Sequence, residues 1–158
     1  MTLAPSAQRV QDELARLGSS AVVRQLDRPT RSAAEAAAAV GCDLAQIAKS
    51  LVFRGSTSGR PILIITSGAN RVDEEAVAQH VGERLERAGA DFVRAATGYA
   101  IGGVPPLAHA SPLATFIDED LLAYPTIWCA GGTPNALFEI DSIELVRLSG
   151  AAPLKVKP

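Results

Sequence analysis

The sequence predicts an α/β domain of the α+β kind, with a mixed, largely antiparallel, curved sheet flanked by short helices. Three observations predict it. Two strongly apolar runs, residues 49–54 (KSLVFR) and 61–66 (PILIIT), are separated only by GSTSG, which reads as a strand pair joined by a hairpin loop. Short helical segments carry their own start and stop signals but do not alternate regularly with strands, so the βαβ rhythm of a dinucleotide-binding fold is missing. The 158 residues contain no internal repeat and no long linker, which suits a single domain spanning residues 1–158.

The elements follow in order. Pro5 and Ser6 precede a helix with Val10, Leu14 and Leu17 on one face, stopped by Gly18. Residues 21–26 form a short strand, broken by Asp27, Arg28 and Pro29. Ser32 with Glu35 is a capping-box signature for an alanine-rich helix ending at Gly41. That helix permits close backbone approach but buries little area, so it depends on tertiary support. PILIIT is apolar on both faces, the mark of a covered central strand. Asp73, Glu74 and Glu75 open a helix ending near Gly82, and a second helical stretch is expected through Arg84, Leu85 and Arg87. Residues 91–97 form another short helix, followed by the Gly/Pro-rich loop GYAIGGVPPLAH at 98–109. Strands are expected at 114–117, 126–130 and 136–140, with a helical turn at 118–124. A Gly-rich turn falls at 131–135, and Asp141 caps a last helix reaching Leu148.

Composition excludes several functions. With a net charge of −2 and 4% aromatic residues, the chain suits neither coating DNA or RNA nor gripping single strands by stacking, though a local basic patch is compatible with both figures. No DNA partner is implied. The N-terminus lacks the pattern of a signal peptide and no run approaches a membrane span, so a cytoplasmic location with no membrane partner is expected. Cys42 and Cys129 do not form a secreted disulfide pattern, and no neighbouring cation activates either one as a nucleophile.

There is no P-loop, no G-x-S-x-G elbow, and no Cys/His cluster around His80 or His109. No metal and no organic cofactor are implied. Three features remain. Lys49 opens an apolar strand, either as a solvent-facing edge lysine or as a cation held over a cleft for a phosphate or developing oxyanion. The segment GGVPP, with Gly102, Gly103, Val104, Pro105 and Pro106, is either a tight connection or a rigid wall with N–H donors aimed at a ligand. Gly131, Gly132 and Thr133 form either a hairpin loop or a second border of the same cleft. His109 is either a loop-packing histidine or a base.

Taken together, IAKSLVFR, LIITSGANRVD, ATGYAIGGVPPLAH and AGGTPNALFEI resemble, in content and order, the YbaK family of prolyl-tRNA synthetase-associated editing domains. The resemblance covers roughly residues 31–148. It implies a YbaK-like fold and a cleft for the 3′ end of an aminoacylated tRNA. The family's strand lysine corresponds to Lys49 and its G-x-x-x-P loop to Gly102 through Pro106. Its later glycine-rich turn corresponds to Gly131, Gly132 and Thr133. On this resemblance Lys49, Gly102 and Gly103 are the expected catalytic positions. Val104, Pro105, Pro106, His109, Gly131, Gly132 and Thr133 are the expected substrate-binding ones.

The implied activity is a trans-editing deacylase acting on tRNA(Pro) that carries a small non-cognate amino acid, with prolyl-tRNA synthetase as a further partner. An aminoacyl ester is already activated, so positioning and substrate assistance supply rate without a protein base. The prolines and His109 set this loop apart from the cysteine-specific branch. Two alternatives use the same residues: a non-catalytic module that binds aminoacyl-tRNA or a nucleotide, and a small-molecule esterase with His109 as base.

Overall fold

The strongest apolar runs form the centre of the sheet. In the computed structural model, which describes residues 2–158, β2 (Ile47–Gly55) and β3 (Pro61–Ser67) pair antiparallel over seven residue pairs, from Ala48 opposite Ser67 to Arg54 opposite Pro61. The remaining strands are β1 (Val23–Gln25), β4 (Leu85–Arg87), β5 (Ala114–Asp118), β6 (Thr126–Ala130), β7 (Ala136–Asp141) and β8 (Ala152–Leu154). Their order is β1-β7-β6-β2-β3-β5-β8, with β4 added to β2. Four pairings are antiparallel and three parallel, so the sheet is mixed as expected.

Five helices flank it among the described residues: α1 (Pro5–Arg16), α2 (Ala33–Val40), α3 (Glu74–Val81), α4 (Ala90–Thr97) and α5 (Ser142–Ser149). Their starts were written in the sequence. The side chains of Ser32, Asp73 and Asp141 accept the backbone N–H three residues on, satisfying donors left open by the first turn. Pro5 occupies the first turn of α1, where a missing N–H costs nothing.

One sheet face carries the larger core. Ala7, Val10 and Leu14 of α1, Val93 of α4 and Leu145 of α5 pack there on Ala48, Leu63, Ile65, Ile127, Cys129 and Phe138. The opposite face carries two smaller cores. In one, Val77 of α3 meets Phe53, Ile62 and Ile64. In the other, Ala36 and Ala37 of α2 meet Ile47, Trp128 and Leu137. The alanine face lets α2 come close to the sheet, and the Trp128 ring fills the space its small side chains leave.

Two elements differ from the sequence expectation. Residues 85–87, expected as helix, are strand β4, which pairs Leu85, Glu86 and Arg87 with Gly55, Arg54 and Phe53. The Leu/Arg spacing there is too short to separate a helical from an extended pattern, and the exposed edge of β2 decides it. Strand β8 was not anticipated; three residues containing a proline form a strand because β5 offers a parallel edge.

Candidate functional site

The site arises where β2 loses its neighbours. β3 covers one edge of β2 along its length, while the other edge is shared. β6 pairs with it only at Ile47 and Ala48, and β4 only at residues 53–55. Between them the sheet is split. A cleft of about 960 Å³ opens at this notch, bordered by α2, the segment before α3, β4, α4 and the 98–109 loop. That volume lies within the usual range for small-ligand sites.

The two sides of the notch differ. Side chains alternate along β2, so Lys49 shares a face with Ile47, Leu51 and Phe53, whereas Ser50 and Val52 share the opposite face with Ala48. Around the mouth stand Lys49 from β2, Arg31 ahead of α2, Arg71 ahead of α3 and Arg87 on β4. Neither ion pair found among the described residues involves any of these four; they are Arg16–Glu13 and Lys157–Asp120. Glu74, exposed on the first turn of α3, is the one carboxylate of the lining. Asn70, also in the lining, is fixed by donating to Asp118 at 2.8 Å and Asp120 at 2.9 Å. Those two bonds anchor the turn that carries Arg71.

On the other face the lining is apolar, with Val52, Val93, Ile101 and Val104 beside Gly102. Ile101 is 58% exposed, a large apolar group at the mouth with no protein to cover it. Of the residues singled out from sequence, Lys49, Gly102 and Val104 therefore meet at one cleft.

The other expected residues build what stands behind it. Gly103, Pro105 and Pro106 are buried. The Gly132 amide donates to the Gly103 carbonyl at 3.0 Å. Gly132 has a φ of +105°, and a Cβ there would lie 2.5 Å from the Ser6 carbonyl oxygen, so only glycine fits between α1 and the loop. Gly131 is buried, and the Thr133 hydroxyl donates to Asn135 at 2.7 Å. The Gly-rich turn thus braces the 98–109 loop from behind instead of lining the cleft.

His109 is a strut of the same loop. Its Nε2 lies 2.7 Å from the Pro105 carbonyl. A carbonyl only accepts, so Nε2 carries the proton. Burial lowers the imidazole pKa, partly opposed by the bond to Pro105. The Tyr99 hydroxyl donates to Ala108 at 2.8 Å, and Ala108 sits in the left-handed region at a φ of +68°, so the loop is held in a strained shape.

Neither cysteine is poised for chemistry. Cys129 is fully buried and its thiol pKa is pushed far up. That of Cys42 is raised by burial first and by Asp43 and Glu139 next. Among the described residues no group of three His, Cys, Asp or Glu side chains is arranged to hold a metal ion, and no helix is long and apolar enough to cross a membrane.

Sequence reasoning missed Arg31, Arg71, Arg87, Ser50 and Trp128 as cleft residues. Arg71 lay inside a segment already singled out, SGANRVD, and Ser50 directly follows Lys49. Arg87 was hidden by the helical reading of its segment.

Fold and cleft together define a small α/β protein whose ligand site is basic on one side of a split sheet and apolar on the other. The chain belongs to the aminoacyl-tRNA editing domain family, which it matches over residues 27–148. A solved structure described as a proposed trans-editing enzyme for prolyl-tRNA synthetase is 47% identical, with a TM-score of 0.94 over 99% of both chains. The hypothetical protein APE2540 is 30% identical, with a TM-score of 0.87 over 94% of this chain and 98% of its own. The uncharacterized protein YwhH of Bacillus subtilis is 31% identical over 127 residues, 80% of each chain.

Proposed function

We propose that the protein is a trans-acting deacylase that hydrolyses mischarged aminoacyl-tRNA, its substrate being tRNA(Pro) bearing a small non-cognate amino acid. The observation that carries this reading is the ring of four cations without ion-pair partners, contributed by four separate segments around one cleft, on a chain whose net charge is −2. Cations gathered at one opening make a locally positive field that attracts an anion, and the phosphates of a single-stranded acceptor end supply one. The apolar compartment beside Val93 and Val104 suits a small side chain. The likeness to a proposed prolyl-tRNA synthetase trans-editing enzyme supports the choice of tRNA(Pro), and prolyl-tRNA synthetase is the natural partner.

In this reaction the water oxygen bonds to the ester carbonyl carbon. The resulting tetrahedral centre collapses by breaking the bond to the ribose oxygen, which takes up the proton that the water gives. Products are a free amino acid and tRNA with its terminal hydroxyl restored. Lys49 holds the terminal phosphate or the ester region, and the Gly102 loop bounds the amino acid. The vicinal ribose hydroxyl orients the water, so positioning carries the rate, an effect of about 7–11 kcal/mol in favourable systems. Charged tRNA of this kind resides in the cytoplasm.

A deacylation panel tests the reading, with tRNA(Pro) charged separately with Pro, Ala, Cys, Ser, Thr and 2-aminobutyrate. Release of one or two small residues with Pro-tRNA(Pro) spared is expected. Binding without release from any of them would replace the deacylase with a binding module. Glu74→Gln should retain the rate; a collapse would assign a protein base and overturn the positional mechanism.

A further inference from the structure

The notch in the sheet leaves the Ser50 to Val52 stretch of β2 without a partner strand on one edge. Gly68 N–H donates to the Ile47 carbonyl at 2.7 Å and Gly55 N–H to the Arg60 carbonyl at 2.9 Å. In an antiparallel pair, residues that exchange both bonds alternate with residues that exchange none. In the observed register, Lys49, Leu51 and Phe53 therefore direct their main-chain groups to β3. Ala48, Ser50, Val52 and Arg54 direct theirs to the opposite edge.

Ala48 lies within the β6 pairing and Arg54 within the β4 pairing, whereas Ser50 and Val52 pair with neither strand, and of these two only Ser50 also carries a side-chain hydroxyl. Its N–H and C=O open into the cleft, which Ser50 lines. Its hydroxyl oxygen is also buried and has no hydrogen-bond partner. Three polar atoms of one residue thus lack partners at one point in the cleft. Buried polar groups are rarely left so, because each costs free energy while unsatisfied.

We propose that Ser50 receives the aminoacyl group itself, which adds to β2 as though it were a strand of one residue. This rests on the deacylase reading above. An α-amino ester carries a donor and an acceptor with the spacing of a strand residue's own N–H and C=O. Its ammonium donates to the Ser50 carbonyl, and its ester carbonyl oxygen, where negative charge develops as water adds, accepts from the Ser50 N–H.

Residues paired across two strands point their side chains to the same face. The substrate side chain consequently falls on the Ser50 face, toward Val52, Val93 and Val104. The ribose and phosphates lead toward Lys49, Arg31 and Arg71. The site reads the α-ammonium of any amino acid through the main chain, and leaves the choice among amino acids to the apolar compartment.

The test changes the substrate and leaves the protein intact. Alanyl- and seryl-tRNA(Pro) are compared with lactyl- and glyceryl-tRNA(Pro), in which a hydroxyl replaces the ammonium, each rate divided by its own uncatalysed rate. The normalised kcat/KM is expected to fall at least tenfold on loss of the ammonium. Equal enhancement for amino and hydroxy esters overturns the inference and leaves the deacylase reading standing. No release from any aminoacyl-tRNA by the unaltered protein removes the deacylase reading, and this inference with it.

Discussion

A methyl group on Gly103 would sit 2.8 Å from the Cα of Thr133 and 3.0 Å from its nitrogen. The cleft-side loop and the turn behind it are therefore in main-chain contact, tied by the Gly132 N–H to the Gly103 carbonyl. Two segments some thirty positions apart in sequence behave as one wall.

Gly103→Ala should break that wall. Backbone atoms cannot yield as a flexible side chain does, so a destabilisation of about 1–3 kcal/mol is expected. The adjoining Gly102 and Val104 would be displaced from the cleft. Thermal denaturation alongside the deacylation assay checks both effects. An unchanged melting temperature would mean that the two loops separate freely.

Lys49→Ala should leave the fold intact, since no hydrogen bond or ion pair of the described residues involves its side chain. Deacylation at subsaturating substrate should fall roughly 100- to 1,000-fold, corresponding to about 2.7–4 kcal/mol for a lost electrostatic contact in a preorganised site. Single-turnover kinetics with a matched circular-dichroism melt would measure it. Full activity would move the site elsewhere.

Arg71 and Arg87 should act through phosphates alone. Arg71→Ala is expected to weaken binding of all charged tRNAs alike, and to reduce the slope of log affinity against log salt by about 0.7 for a single-stranded contact. Titration at several salt concentrations provides the slope. Selective loss for one amino acid would contradict a phosphate role.

His109 gives the fold a dependence on pH. Burial, the larger cause, lowers its folded pKa below the usual value, and the Pro105 carbonyl opposes this more weakly. The unfolded chain therefore binds the proton more readily. The stability His109 contributes is whole above the unfolded value of about 6.5, and is lost as pH falls through the lowered folded value. His109→Gln keeps a donor for Pro105 and should flatten this acid limb of the stability curve, while deacylation persists. An esterase that used His109 as its base would instead lose its activity.

The local elements were legible because each is specified by neighbours in sequence. The Ser32, Asp73 and Asp141 caps, the apolar run of β3 and the α1 stripe of Val10 and Leu14 all declare themselves within a few residues. Residues 85–87 failed because a three-residue exposed segment has no period to read, and its state depends on the β2 edge beside it. Lys49 and the Gly102 loop stood out by residue chemistry with two readings each, the resemblance favoured the functional one, and their meeting at one cleft could not be derived from spacing.

The sequence by itself determined where the chain turns, where the five flanking helices lie, which strands lie at the centre, and which family pattern it carries. Those are decided by short-range sterics, capping and hydrophobic periodicity. Tertiary structure alone decided that β6 and β4 leave Ser50 and Val52 uncovered between them, and that Arg31, Lys49, Arg71 and Arg87 surround the same opening. A strand edge is free or occupied according to where distant strands end, and charges converge according to how the sheet brings separate loops together. Neither property is encoded in any local stretch of the chain.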